Sequence, residues 1–188
     1  EVDCVIKDLD DTNVLEAALI ENIQREDLNV IEEANAYRGL ISIKKISNDD
    51  QYVIIDCPPS LGMLTVTALT AATTGLVPLQ CEFYALEGLT QLMRTIEAVR
   101  TGLNADLRMQ GIVLTMYDTR NKLSSMVAKD VRDHFGDLVY GTVIPRNVRV
   151  SEAPSFGQPV LVYDLKCPGS QAYAALAAEL LRQETQVA

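Results

Sequence analysis

The sequence predicts an α/β protein, a mostly parallel sheet with flanking helices, preceded by a short, mostly helical N-terminal segment. Two observations carry that class. Short, near-continuous apolar runs alternate with longer amphipathic stretches, and strands of that kind are covered on both faces, as in parallel sheets with crossover helices. The charge is also divided unevenly: residues 1–33 hold eleven acids against Lys7 and Arg25, a net of −9 out of −10 for all 188 residues. That imbalance marks the N-terminal segment as different in kind.

Residues 2–6 offer a first strand. A helix over 12–24 then puts Leu15, Ala18, Leu19 and Ile23 on one face, and a second helix opens at Asn29 with Glu32 three residues on, a capping-box arrangement. Residues 42–50 form a polar junction. Strands are expected at 52–56, 75–79, 110–116 and 138–143, with a short one at 160–163. Between them, Leu86, Leu89, Leu92, Met93, Ile96 and Val99 repeat at helical spacing over 85–100, and Tyr173, Leu176, Ala177, Leu180 and Leu181 do so near the end. Both stripes read as core packing. A membrane-binding helix would need a basic polar face, and Arg182 alone does not make one.

Composition describes an ordinary chain near the size of one domain, 48% hydrophobic and 22% charged. No apolar run approaches the ~20 residues that span a bilayer. The N-terminus is acidic where a secretory signal is basic, so a cytoplasmic chain with no membrane partner is expected. Cys4, Cys57, Cys81 and Cys167 are widely spaced beside a single histidine, His134, which suggests reduced, mostly buried thiols and neither zinc nor disulfides. Cys57 has no neighbouring base in sequence to activate it. The chain starts at Glu1 without an initiator methionine, as a fragment or processed product would.

The richest motif is Tyr52-Val53-Ile54-Ile55-Asp56-Cys57-Pro58-Pro59-Ser60. An apolar strand ending in an aspartate is how many nucleotide hydrolases hold Mg²⁺ beside a phosphate chain, although ordinary strands also end this way. The complementary loop, G-x-x-x-x-G-K-[ST], is absent: none of the ten glycines precedes a lysine or falls as G-x-G. An acidic total argues against nucleic acid, yet residues 117–149 carry six bases against four acids.

Asp56-Cys57-Pro58-Pro59-Ser60-Leu61-Gly62, the run Val77-Pro78-Leu79-Gln80-Cys81-Glu82-Phe83-Tyr84-Ala85-Leu86-Glu87-Gly88, Thr142-Val143-Ile144-Pro145-Arg146-Asn147-Val148-Arg149 and Ser151-Glu152-Ala153-Pro154-Ser155 together resemble the ParA family of chromosome and plasmid partition ATPases. The resemblance covers about 50–184. It implies a P-loop NTPase-like fold, incomplete here, with ATP and Mg²⁺ as the family's cofactors. It also implies roles: Asp56 as the Walker B carboxylate acting on Mg²⁺ through water, Pro145 and Asn147 against the adenine, and Arg120 and Arg149 on DNA without sequence preference. The partners it implies are non-specific DNA, a ParB-type protein and a second copy of the chain in a homodimer, in the nucleoid-associated bacterial cytoplasm. The family's phosphate-loop lysines have no counterpart, so ATP hydrolysis is expected to be very slow or absent.

The run from Leu19 to Ala34, with Glu21-Asn22-Ile23-Gln24-Arg25 at its centre, is similar to the ParB family, whose E-N-x-Q-R motif forms part of a CTP-phosphate and Mg²⁺ site. That resemblance, over about 5–40, implies Glu21 and Asn22 near the metal and Arg25 near the phosphates. Without the rest of the pocket, a solvated helix face is the preferred reading of these three. The expected organisation is therefore a ParB-like fragment at 1–41, a junction at 42–50 and a ParA-like portion at 51–188. The expected function is ParA-type partitioning, degraded by loss of the phosphate loop. The alternatives are a non-catalytic dimerisation or DNA-binding module, or a gene-fusion fragment without evolved function.

Overall fold

The computed structural model describes residues 54–58 and 61–187. The helices expected at 12–24 and from Asn29, the strand at 2–6 and the residues Glu21, Asn22 and Arg25 lie outside the described residues. The chain divides into two compact units, residues 1–73 with 94–107, and residues 74–93 with 108–188.

In the first unit, helix α1 (Met63–Ala71) follows Gly62, whose extended backbone and carbonyl, taking Val66 N at 3.2 Å, start the helix without a side-chain cap. Its three threonines are weak helix formers, and Thr70 turns its hydroxyl back to Val66 O at 2.8 Å rather than leave it unpaired. The other end of α1 is closed from a distance. Buried Asn104 donates its amide to Leu69 O and Ala72 O, at 3.0 and 2.7 Å, satisfying carbonyls that a helix C-terminus leaves open. Ile54–Pro58 has no regular structure, and Ile54 is 87% exposed. This corrects the strand expected at 52–56, of which Tyr52 and Val53 are not described. An apolar run becomes a strand only through a ladder with a neighbour, and Ile54–Asp56 takes part in none.

The second unit is a parallel sheet in the order β1-β2-β3, formed by β1 (Thr74–Gln80), β2 (Arg108–Tyr117) and β3 (Val139–Pro145). Val77 pairs with Ile112 and Leu79 with Leu114; on the other side Ile112 pairs with Val139 and Leu114 with Val143. Central β2 matches the expected two-sided burial, with Gly111, Ile112, Val113 and Leu114 all buried. β1 does not. Its residues alternate, Val77 and Leu79 inside, Leu76 and Pro78 outside, so its apolar sequence covers one face only. Pro78 sits on this strand without cost because it lies at the sheet edge among the described residues.

One face of the sheet packs Ile112, Leu114, Val77 and Leu79 against Ala85 and Leu89 of helix α2 (Ala85–Gly102) and Val127 and Val131 of helix α3 (Lys122–Phe135). Burying each large aliphatic side chain contributes about 1.5–3 kcal/mol. The opposite face presents Val113, Tyr140 and Ile144 to Ala172, Leu176 and Leu180 of the last helix, α6 (Pro168–Val187), numbered after two short helices, α4 (Val148–Glu152) and α5 (Val160–Tyr163). Helices therefore flank both faces. The residues expected as a strand at 160–163 are α5: the Pro159 carbonyl accepts from Val162 N and Tyr163 N at 2.9 and 3.0 Å, and Asp164 N closes on Val160 O. Proline pre-sets the turn, and among the described residues this run has no strand beside it to pair with. Among the described residues no helix is long and apolar enough to cross a membrane.

Two contacts hold the layers in register. Gly111 has φ +154°, and a Cβ there would meet Tyr140 Cε2 at 2.5 Å and Leu138 O at 2.9 Å, so the tyrosine ring occupies the space a side chain would take. Gly111→Ala should therefore destabilise the fold by about 1–3 kcal/mol, read as a lower urea midpoint with an unchanged m-value.

Glu179 of α6 accepts Gly141 N on Oε1 at 2.7 Å and Thr142 N on Oε2 at 2.8 Å, clamping the helix to β3. Partial burial raises its pKa, but the hydrogen bonds from Thr142 and Gly141 and the charge of Arg182 together bring it below the ordinary value. A carboxyl depressed in the folded state adds stability above its unfolded pKa, and that stability is lost as pH falls through the folded value. Glu179→Gln should cost on the order of 1 kcal/mol at neutral pH, after allowance for solvent screening. The difference between native and variant should shrink below about pH 4.3, as seen in denaturation at a series of pH values.

Candidate functional site at the carboxyl edge of the sheet

In open α/β sheets, ligands bind outside the carboxyl ends of the strands, where the connecting loops converge. In the second unit that edge is built by three loops. After β1 come Phe83 and Tyr84, both exposed, with rings in an edge-to-face arrangement 5.1 Å apart. The buried Ser124 hydroxyl, 3.3 Å from Cys81 O, ties the end of β1 to α3.

At the end of β2 the ladder shifts register between Leu114 and Tyr117, and Met116 takes φ +53°, a left-handed conformation costly for a residue with a side chain. The shift re-aims the strand end before it turns at Asp118. Tyr117 stays paired with Pro145, and Arg146 N reaches Tyr117 O at 2.9 Å, so the ends of β2 and β3 remain joined up to the loops.

Asp118 takes one edge of the Arg120 guanidinium, Nε to Oδ1 at 3.0 Å and Nη2 to Oδ2 at 2.9 Å, and also the Arg120 backbone N–H at 3.0 Å. The Arg120 hydrogen bonds hold the Asp118 pKa down to about 2, with Arg146 adding a smaller push. Next, Asn121 caps α3 by accepting Leu123 N at 3.0 Å. At the end of β3, Asn147 caps α4, its Oδ1 accepting Arg149 N at 2.8 Å. Pro145 and Asn147 are both half-buried.

Arg149 pairs with Glu152 at 2.9 Å and lies 3.6 Å from Asp164, while Tyr163 donates to the same Glu152 oxygen at 3.4 Å and stacks on Phe156. Ser170, fully buried, donates to Asp164 O at 2.6 Å with Val160 O at 3.0 Å, and its backbone N–H reaches Cys167 Sγ at 3.4 Å. These bonds join the α4–α5 segment to the start of α6.

Of the residues singled out in the sequence, Pro145 ends β3, Arg120 lies in the loop after β2, and Asn147 and Arg149 cap and occupy α4 just beyond β3. Asp56 belongs to the first unit, where it is exposed. Its neighbour Cys57 is exposed rather than buried as expected, and residual desolvation together with the Asp56 charge pushes its thiol pKa up, away from nucleophilic use. Cys81 and Cys167 are buried, as expected. Sequence reading missed the carboxylates facing the two arginines. Asp118 stood two residues before Arg120 as a signal, whereas Asp164 is brought to Arg149 only by the fold. Among the described residues, no group of three or more His, Cys, Asp or Glu side chains is arranged to hold a metal ion.

The AAA domain family matches residues 3–109. The chromosome partitioning protein ParA of Caulobacter vibrioides is 73% identical over 133 residues, covering 71% of this chain and 50% of that protein. The sporulation initiation inhibitor protein Soj of Bacillus subtilis is 42% identical over 189 residues, covering 95% of this chain and 74% of Soj. Among solved structures, cobyrinic acid a,c-diamide synthase from Mycobacterium smegmatis, with bound ADP and magnesium, superposes with a TM-score of 0.63 at 35% identity, over 93% of this chain and 60% of that one. The chain spans about half the length of the Caulobacter relative.

The packing beneath Asn147 can be tested directly. A Cβ at Gly169 would collide with Val150 Cγ2 and come within 3.4 Å of Asn147 Cβ. Gly169→Ala should lower stability by about 1–3 kcal/mol in urea denaturation. Adding Val150→Ala, which removes the opposing methyl, should recover most of the loss.

Proposed function

The chain belongs to the ParA/Soj family of chromosome-partitioning proteins, and from that premise we propose that it acts in partitioning through the carboxyl edge of its sheet. Pro145 and Asn147 receive the adenine of ATP, Asp56 acts on Mg²⁺ through water, and Arg120 and Arg149 contact DNA phosphates without sequence preference. A ParB-type protein is the partner, and a second copy of the chain completes a dimer. The observation that carries this reading is the joining of β2 and β3 up to their carboxyl ends, Tyr117 to Pro145 and Arg146 N to Tyr117 O, which puts Arg120 and Asn147 on neighbouring loops.

The donor set fits Mg²⁺ in one respect. This ion keeps several waters and is bound through few carboxylates plus nucleotide phosphates, so an exposed Asp56, outside any cluster of three or more ligating side chains among the described residues, suits a contact with its water shell. Bound Mg²⁺ would supply charge neutralisation for the phosphates. Asn147 Oδ1 is committed to the Arg149 amide, so recognition of a base would fall to the side-chain N–H groups.

Residues 1–41 remain the ParB-like portion in this proposal and 51–188 the ParA-like portion, with Glu21, Asn22 and Arg25 as a remnant of the CTP motif. The AAA-domain match begins at residue 3 and takes in the same stretch. The ParB-like reading rests on the Glu21-to-Arg25 run and the acidic seam alone. Because no Gly-Lys pair supplies the phosphate cradle, hydrolysis by this chain is lost or very slow.

Calorimetry with ATP and Mg²⁺, paired with a steady-state ATPase assay, tests the proposal. Weak nucleotide binding, further weakened by Asn147→Ala, and a turnover near background that Asp56→Ala leaves unchanged are the expected results. A robust ATPase rate abolished by Asp56→Ala would sink the reading of lost hydrolysis. Binding untouched by Asn147→Ala would remove this edge as the nucleotide site.

A further inference from the structure

We infer that Asp118 is a built-in competitor for the anion that Arg120 binds, so that DNA phosphate reaches the Nε–Nη2 edge of this guanidinium only by displacing the Asp118 carboxylate. The inference rests on the proposed reading of Arg120 as a DNA contact. Arg120 gives Nε and Nη2 to the two Asp118 oxygens, at 3.0 and 2.9 Å. Two parallel charge-assisted bonds from one edge of the fork are also how a guanidinium grips phosphate. A phosphate that takes this edge in the same bidentate way competes with the carboxylate for Nε and Nη2.

The two partners are held unequally. Asp118 is anchored: its side chain is 20% exposed, it also accepts the Arg120 amide, and its carbonyl takes Asn121 N at 3.0 Å. The Arg120 side chain is 87% exposed, so the cation is the member free to swing away. The local fold does not depend on the fork, because Asn121 caps α3 independently. Arg149 differs. It faces Glu152 on its own helix and Asp164 beyond α5, with Tyr163 on the same Glu152 oxygen, and exchanging partners there would disturb packing. Arg120 is therefore the cation built to exchange.

The test is fluorescence anisotropy of a short labelled duplex of mixed sequence, with the intact chain, ATP and Mg²⁺, at about 50 and 200 mM salt. Asp118→Asn keeps an oxygen for the Arg120 amide but removes the charge and half of the fork. Affinity should rise about three- to tenfold at the lower salt, with a salt dependence steeper by about one phosphate contact. The same substitution in an Arg120→Ala background should change affinity by less than about twofold. Equal rises in both backgrounds would reflect loss of a negative charge in general and would overturn the inference.

If Arg120→Ala weakens binding while Asp118→Asn leaves it unchanged, the inference fails and the DNA reading stands. If Asp118→Asn, Arg120→Ala and Arg149→Ala all bind as the native chain does, the DNA reading itself fails. Far-UV circular dichroism melts that match the native protein show that each variant is folded. Asp118→Ser, which keeps an oxygen for the turn, replaces Asp118→Asn if that variant unfolds, with the same outcomes expected.

Discussion

The sheet unit depends on one constraint, the burial of the central strand β2 on both faces while its backbone pairs on both sides. A strand so placed has no water to satisfy a mispaired amide or to accept a polar side chain, so its register must be set by its neighbours. Val77 and Leu79 set it on one side, and Val139 and Val143 on the other. The Tyr140 ring over Gly111 adds a steric key that only glycine meets without a clash. From that fixed strand follow the seats of α2 and α3 on one face and of α6 on the other. The positions of the loops at its carboxyl end follow as well.

Those loops show how a short stretch of basic sequence is altered by its surroundings. Residues 117–149 carry a net positive charge, which suggests a patch for phosphate. In the folded chain, however, Arg120 and Arg149 already face carboxylates. Net charge sums over a segment, whereas a phosphate senses the field at one guanidinium, and a carboxylate about 3 Å away cancels most of that field before salt screening acts. The edge therefore combines groups suited to binding anions with carboxylates that oppose it. Arg146 belongs to the same edge, exposed at the end of β3.

Much of this architecture was legible in the residues. The apolar runs at 75–79, 110–116 and 138–143 became β1, β2 and β3 within two residues at either end, and the stripe from Leu86 to Val99 became α2. Two runs of similar composition misled. Val160-Leu161-Val162-Tyr163 became a helical turn in which Pro159 supplies the first carbonyl and the buried Ser170 hydroxyl lies against the carbonyls of Val160 and Asp164 at its two ends, and Ile54-Ile55 lies outside any ladder. β-propensity expresses how well a side chain fits a pleated, half-buried surface, so it cannot tell whether that surface exists.

The sequence by itself determined the alternation of strands and helices, the family resemblance later matched by the ParA and Soj relatives, and which positions along the strand ends hold arginine, proline and asparagine. These are properties of periodicity and of motif order, both local along the chain. Only the tertiary structure decided that β1 buries a single face, that Glu179 spends its carboxylate on two β3 amides, and that Asp164 comes to Arg149. Each of these joins residues far apart in sequence or depends on what covers a surface. A hydrogen bond or ion pair exists only at contact distance, so it is settled by packing and not by the identity of either partner alone.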